Sequence, residues 1–260
     1  MGFDVFVPVW AVGVNKKDVD AARTPTRTPT PTPTLTATPT ATPTSTATPT
    51  TDPDLIFRDG FESGNLSAWT ASAIDGGDLS VTTAGALSGS FGMQAALDDN
   101  TSIYVTDDSP NAESRYRARF YFDPNSITMA NGNSHYIFYG YSGATQALRV
   151  QFRRSAGLYQ LRTALRNDGA GWTNSSWVTI SDAPHSIELD WRAATAAGAN
   201  NGGLTFWIDG AQQANLAGVN NDTRRIDRAR LGAVAGIDRQ TRGTYYFDAF
   251  ESRRQTYIGP

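Results

Sequence analysis

The sequence predicts an all-β fold, an antiparallel β-sandwich preceded by an extended Thr/Pro-rich segment of low complexity. From Asp54 onward, short runs of alternating apolar and polar residues are separated by turns rich in Gly, Asn and Asp. This part of the chain lacks the 3.6-residue periodicity of long helices. About 210 residues also suit one large all-β domain better than two small domains.

Residues 1–23 form a short apolar N-terminal segment, too short for a domain. The run FDVFVPVWAVGV is rich in β-branched and aromatic residues, and Pro8 suits only a strand edge or a bulge. Two interpretations remain open: a stub of an upstream domain, or a strand that pairs with another chain's open edge.

Residues 24–51 are a Thr/Pro-rich tract in which every even-numbered residue from Thr24 to Thr50 is threonine. Proline removes backbone donors and favours the extended polyproline II form. The composition is typical of an O-glycosylated stalk, with a bare semi-rigid linker as the alternative. The predicted acceptors are Thr26, Thr28, Thr30, Thr32, Thr34, Thr36, Thr38, Thr40, Thr42, Thr44, Thr46, Thr48 and Thr50.

Residues 52–260 then form the folded domain, with about a dozen short strands as in a sandwich or jelly roll. The segments 147–154 and 158–166 predict a hairpin with a turn at 155–157, and Asp209-Gly210 predicts a second turn. Alternation places one set of side chains in the core: Tyr116, Ala118, Phe120, Phe122, Leu148, Val150, Phe152, Ile187, Leu189 and Trp191.

The amino-acid composition limits the kinds of partner that the protein can bind. A net charge of −3 argues against non-specific binding to nucleic acid or anionic membranes. There are no cysteines, so disulfides and thiolate metal sites are excluded. The sequence shows neither an apolar stretch of the ~18–20 residues that span a membrane nor a clear signal peptide. The stalk therefore carries the prediction of an extracellular or cell-surface location. Three alternatives stay open for the N-terminus: the true start lies upstream, the chain is a fragment, or the apolar segment has another role.

Five segments together resemble the concanavalin A-like lectin/glucanase jelly-roll domains of bacterial extracellular proteins, including laminin-G-like members. They are DGFESGNLSAW (59–69), SGSFGMQAAL (88–97), HSIELDWR (185–192), LTFWIDG (204–210) and YYFDAF (245–250). The resemblance covers about 54–254. It implies the fold and leaves the ligand open, because such domains include binders, hydrolases, lyases and structural modules.

The pattern Asp-X-Phe-Glu-Ser occurs twice, at 59–63 and 248–252. If the first and last strands lie side by side, the carboxylates come together, and clustered carboxylates favour a cation. The resemblance implies a structural calcium held partly by Asp248. The sequence therefore predicts calcium ligands at Asp59, Glu62, Asp248 and Glu251.

The polar side of the strands is the candidate ligand surface. Alternation assigns to it Arg115, Arg117, Arg119, Arg149, Gln151, Arg153, Gln160, Arg162, Glu188, Asp190 and Trp207. These residues either pair across strands on a solvated sheet or bind sugar hydroxyls beside a flat Trp ring. In the loop 167–177, Trp172 suits sugar stacking, while Trp177 is expected in the core. Tyr136, Tyr139 and Tyr141 border the same cleft or merely pack. The predicted ligand-binding residues are Trp172, Trp207, Arg117, Arg149, Gln151, Glu188, Asp190 and Tyr139.

Catalysis is not predicted. Glu188 and Asp190 form an E-X-D, but the longer acidic series of laminarinase-like hydrolases stops at Arg192 and Ala193. Lyases of the resembling fold use His, Tyr, Arg and Gln, and here His135, Tyr139, Arg117 and Gln151 are the available types without the family's motifs.

The function predicted from the sequence is a non-catalytic, lectin-like module that binds polysaccharide or glycans from a glycosylated stalk. The alternative is a structural or adhesive subunit of a surface fibre or sheath, in which copies assemble through residues 1–23. A polysaccharide lyase or glycoside hydrolase is the third hypothesis.

Overall fold

The computed structural model describes residues 52–260, which form two antiparallel β-sheets packed as a sandwich. The N-terminal segment, the Thr/Pro tract and its glycosylation sites lie outside the described residues. Strands are numbered β1–β17 in chain order. The predicted all-β sandwich is confirmed, and no helix in the described domain is long and apolar enough to cross a membrane.

Sheet A has the strand order β15-β14-β13-β6-β17-β4-β3, and β1 and β7 also pair with β17. Its strands are β1 (Leu55–Asp59), β3 (Leu79–Thr82), β4 (Gly92–Leu97), β6 (Arg115–Asp123), β7 (Thr128–Met129), β13 (His185–Arg192), β14 (Gly202–Ile208), β15 (Ala211–Val219) and β17 (Thr241–Arg253). The first strand therefore lies beside the last, which meets the condition set for bringing the two Asp-X-Phe-Glu-Ser segments together.

Sheet B has the order β11-β10-β9-β8-β16-β5-β2, and β12 also pairs with β10. Its strands are β2 (Ala71–Ala73), β5 (Ile103–Asp107), β8 (Ser134–Ser142), β9 (Thr145–Ser155), β10 (Leu158–Arg166), β11 (Trp172–Asn174), β12 (Val178–Ile180) and β16 (Arg228–Ala235).

The core lies between the two sheets and is rich in aromatic rings. All ten side chains that alternation places inward are buried. Phe122 of sheet A meets Phe152 of sheet B edge to face, with ring centroids 5.0 Å apart. Such pairs stabilise beyond the area they bury. The sheets are therefore held together by their apolar sides, which leaves each sheet an outer side for polar residues.

Both predicted hairpin turns are present. Ala156 and Gly157 join β9 to β10 with φ values of 51° and 78°. Asp209 and Gly210 join β14 to β15 with φ values of 52° and 74°. Two successive residues with positive φ match the twist of the flanking strands, which favours Gly and Asp here. The first turn fixes the register that brings the polar residues of β9 and β10 side by side.

Candidate functional site

The predicted polar surface is divided between the outer sides of two different sheets. Arg115, Arg117, Arg119, Glu188, Asp190 and Trp207 lie in sheet A, whereas Arg149, Gln151, Arg153, Gln160 and Arg162 lie in sheet B. Alternation shows which side of a strand a residue occupies but not which sheet the strand joins. The expectation of one continuous surface was therefore wrong, and two separate surfaces have to be considered.

On sheet A, the charged residues form a buried ion-pair network. Arg115 makes two bonds of 2.9 Å to the Asp190 carboxylate. Arg117 lies 3.0 Å from both Asp190 Oδ2 and Glu188 Oε1. The strand register places Glu188 opposite Arg119 and Asp190 opposite Arg117. The cations and anions of this sheet therefore neutralise each other within the fold.

The C-terminal tail, residues 254–260, contacts the network from outside. Glu188 accepts the backbone N–H groups of Ile258 at 3.1 Å and Gly259 at 2.9 Å. The Tyr257 ring lies 5.6 Å from the ring of Trp207. Arg117 donates to the backbone oxygen of Gln255. The predicted ligand residues of sheet A are thus engaged by the chain itself.

On sheet B, the outer side carries a different arrangement, which we call the arginine–aromatic face. It consists of Tyr136, Arg149, Gln151, Arg153, Gln160, Arg162, Trp172 and Trp177. Trp172 starts β11 and Trp177 directly precedes β12, and both short strands pair with β10. The two tryptophans are therefore carried to the same side of the sheet as the arginines.

Each tryptophan of this face lies against guanidinium groups. The Arg149 Cζ atom is 3.8 Å from the centroid of the Trp172 ring. Those of Arg153 and Arg162 are 3.9 Å and 4.4 Å from the Trp177 ring. Contacts of this kind hold the flat side chains in place through cation–π attraction, at about 0.5–1 kcal/mol each where exposed. Trp177, expected in the core, is instead half-buried on this face.

Two glutamines orient the guanidinium groups. Gln151 accepts from Nε of Arg162 at 2.9 Å, and Gln160 accepts from Nε of Arg153 at 2.8 Å. Gln151 and Arg162 face each other across β9 and β10, as do Arg153 and Gln160. A neutral amide fixes the direction of an arginine without cancelling its charge. Arg153 and Arg162 are therefore oriented by these amides and keep their positive charge.

The arginines of the face have no carboxylate partner among the described residues. The ion pairs formed by residues 52–260 include none with Arg149, Arg153 or Arg162. Burial first, and then the neighbouring charge of Arg149, lowers the pKa of Arg162 below its usual value. Like charges at this spacing repel, so the face attracts anions.

Tyr139, a predicted ligand residue, is only 3% exposed. It packs with Tyr141 and Val234 in a small apolar cluster. Burial raises the pKa of its phenol far above the usual value. Tyr139 lies beside Arg149 across β8 and β9 and offers the face little exposed surface.

The His, Tyr, Arg and Gln available for lyase chemistry do not come together. His135 is buried in the core, where its ring stacks on Tyr245 with centroids 5.7 Å apart. Arg117 lies in sheet A, while Gln151 is on the arginine–aromatic face. The described face thus holds Gln, Tyr and Arg side chains but no histidine.

The four carboxylates predicted for calcium are largely engaged by other partners. Asp59 accepts the Phe61 N–H and the Trp69 indole N–H. Glu251 pairs with Arg119 and Arg253.

Glu62 accepts the N–H groups of Ser90 and Phe91, while Asp248 accepts those of Leu87 and Ser88. Burial, opposed by these N–H groups and assisted by Glu62, raises the pKa of Asp248. Within the described domain no three acidic or histidine side chains are grouped as metal ligands. Calcium stays a prediction, centred on Glu62 and Asp248.

Three side chains form a hydrogen-bonded chain, Ser181–His185–Asp209, at one end of the sandwich. The Ser181 hydroxyl is 2.9 Å from Nε2 of His185, and Nδ1 of His185 is 2.6 Å from Asp209 Oδ2. This is the order of groups in a Ser–His–Asp triad. The Ser126 N–H, which lines the same pocket as Ser181, is bonded to Asp182 and cannot bind an oxyanion. The chain also ties the start of β13 to the β14–β15 turn.

Comparison with solved structures identifies proteins of similar fold at low identity. Cellulose induced protein Cip1 superposes with a TM-score of 0.56 at 16% identity, over 78% of this chain and 99% of that one. Alginate lyase Aly36B gives 0.52 at 11% identity, over 78% and 94%. The binding domain of Paraclostridial Mosquitocidal Protein 1 gives 0.51 at 12% identity, over 78% and 49%, so this chain spans about half of that domain.

Identities of this size show the fold alone. No family model and no curated protein sequence matches the chain. The resemblance inferred from the five segments is thereby supported at the level of the β-sandwich fold, and the function has to be argued from the site.

Proposed function

We propose that the protein is a non-catalytic carbohydrate-binding module and that the arginine–aromatic face is its binding surface. The observation that carries this proposal is the arrangement of Trp172 and Trp177 beside oriented arginines on the outer side of a rigid sheet. Half-buried indole rings stack against the apolar faces of sugars, and guanidinium groups donate to their oxygens. The corresponding groups of sheet A are covered by the C-terminal tail.

The fold neighbours are compatible with this proposal in different ways. One is named as a binding domain and another as an alginate lyase. Lyase chemistry needs a base and an acid placed around one sugar. Since His135 lies in the core, the face retains the groups that hold a sugar better than the groups that would cleave it.

A glycan array with three matched variants tests the proposal. Trp172→Ala and Trp177→Ala should each weaken binding at least about tenfold, because each removes one stacking surface. Trp207→Ala, the same substitution in sheet A, should leave binding unchanged. Near-ultraviolet circular dichroism checks that all three variants are folded. Absence of binding to any glycan, or equal loss in all three variants, would refute the proposal.

Ester hydrolysis is the second candidate function, favoured only by the Ser181–His185–Asp209 chain. It comes second because the Ser126 N–H, which lines the same pocket as Ser181, is already bonded to Asp182. An assay with p-nitrophenyl acetate decides it. Turnover that is lost in Ser181→Ala would establish a hydrolase, and equal slow hydrolysis in both proteins would exclude one.

A further inference from the structure

The stretch of sequence that carries the three arginines of the arginine–aromatic face contains no acidic residue. Between Asp123 and Asp168 the sequence has five arginines and neither Asp nor Glu. Three of the five, Arg149, Arg153 and Arg162, lie on the face itself. This is unusual in a chain whose net charge is −3, and it leaves a positive surface on an acidic protein.

The arginines of sheet A differ from those of the face because they pair with carboxylates of the domain itself. Arg115, Arg117 and Arg119 each contact a carboxylate within 4 Å. On sheet B, amides and aromatic rings take the place of the carboxylates. The arginines of the face are thus oriented but not neutralised.

The spacing of these charges follows the strand. Arg149, Gln151 and Arg153 are successive outward residues of β9, and Arg162 lies opposite Gln151 on β10. Outward residues of one strand are about 7 Å apart, so the two arginines of β9 are separated by roughly twice that distance. Repeated cations along one line suit a polymer that carries repeated anions.

We infer that the arginine–aromatic face binds an anionic polysaccharide, one whose sugars carry carboxylates or sulfates. This inference rests on the proposed function and names its ligand class. A guanidinium edge offers two parallel N–H donors, which match the two oxygens of a carboxylate or sulfate. Trp172 and Trp177 stack on the sugar rings between the charges.

Affinity electrophoresis of the full chain tests the inference, with a polysaccharide cast in the gel. The acidic probes are polygalacturonate, alginate and dextran sulfate, and the neutral controls are fully methyl-esterified polygalacturonate and dextran. We expect retardation by at least one acidic polymer, at least about tenfold weaker binding to its neutral control, and weakening as sodium chloride screens the charges. Retardation by polygalacturonate or alginate assigns the anion as carboxylate, and retardation by dextran sulfate alone assigns it as sulfate.

Two variants and a matched control complete the test. Arg149→Gln and Arg162→Gln should each weaken binding about tenfold or more, because a charged hydrogen bond is lost. Arg58→Gln makes the same change of net charge at an exposed site in sheet A and should have no effect.

Three outcomes overturn the inference. Equal binding of methyl-esterified and acidic polygalacturonate would show that the protein binds glycans but does not select for anionic ones. Binding of oligo(dT) more tightly than every acidic polysaccharide would assign the face to nucleic acid. Retardation by none of the polymers, acidic or neutral, would overturn the proposed function as well.

Discussion

Arg117 and Glu188 form a buried ion pair with an Nη1–Oε1 distance of 3.0 Å, and the same carboxylate holds the backbone of Ile258 and Gly259. Removal of one partner of a buried ion pair typically costs about 3–5 kcal/mol, and Asp190, 3.0 Å from Arg117, keeps the loss at the lower end of that range. Glu188→Ala should therefore lower the free energy of unfolding by about 3 kcal/mol, measured by urea denaturation.

The same variant should release the C-terminal tail. We expect faster hydrogen exchange at residues 256–259 and a change in Trp207 fluorescence, since Tyr257 then leaves its ring. Gln213→Ala, an exposed change on the neighbouring edge strand, serves as the control. Unchanged exchange in Glu188→Ala would contradict the role assigned to this carboxylate.

His135 should make stability depend on pH. Burial lowers its pKa from the usual 6.5 to about 4. Between pH 6.5 and 4 the unfolded chain binds a proton that the folded protein does not, so stability is full above pH 6.5 and falls as pH falls through this window. The loss should approach about 3 kcal/mol near pH 4.

His135→Phe should flatten the part of the pH profile that is due to this residue. Other groups contribute equally to both proteins, so the difference between the two profiles isolates His135. Parallel profiles for the wild type and His135→Phe would show that the ring is not buried as a neutral group.

The predicted calcium site should make the melting temperature of the protein depend on calcium. Calcium bound at Glu62 and Asp248 would stabilise the folded state, by about 2.7 kcal/mol at a hundredfold excess over Kd. The melting temperature should therefore rise by several degrees with calcium and fall with EDTA, and Asp248→Asn should abolish the response. Asp108→Asn, which lies away from these residues on an exposed segment, is the control. A melting temperature that neither reagent changes would show that backbone N–H groups alone serve these carboxylates.

Gly92 and Gly85 lie so close that neither tolerates a side chain. A Cβ atom at Gly92 would stand 1.9 Å from the backbone oxygen of Gly85. Gly92→Ala should destabilise the domain by about 1–3 kcal/mol, because backbone has to move. The loop it displaces carries the N–H groups bonded by Glu62 and Asp248. Gly169→Ala is exposed, with 3.5 Å to the nearest atom, and should change stability by less than about 0.5 kcal/mol. Equal melting of the two variants would contradict this contact.

The sequence predicted the sandwich, its turns and its inward residues because alternation and turn chemistry are local properties. The candidate site was predicted in part. Trp172, Arg149 and Gln151 do lie together, whereas Arg117, Glu188, Asp190 and Trp207 belong to the other sheet.

Sheet membership depends on pairings between distant strands, which alternation does not encode. Trp177 was missed because the residue before an apolar strand resembles a core residue. The absence of acids between Asp123 and Asp168 was the available signal that this part of the chain forms a cationic surface.

The pairing of β1 with β17 determines where another protein can be fused to the N-terminal side of the domain. The described chain enters through sheet A, where Asp52 contacts Arg253, and the arginine–aromatic face belongs to the other layer. The point where the described chain begins and the proposed binding face therefore belong to different layers of the sandwich. A protein fused before Asp52 would join the domain at sheet A and leave the arginine–aromatic face of sheet B accessible. Several such domains could then bind one polymer strand without obstruction from their fused partners.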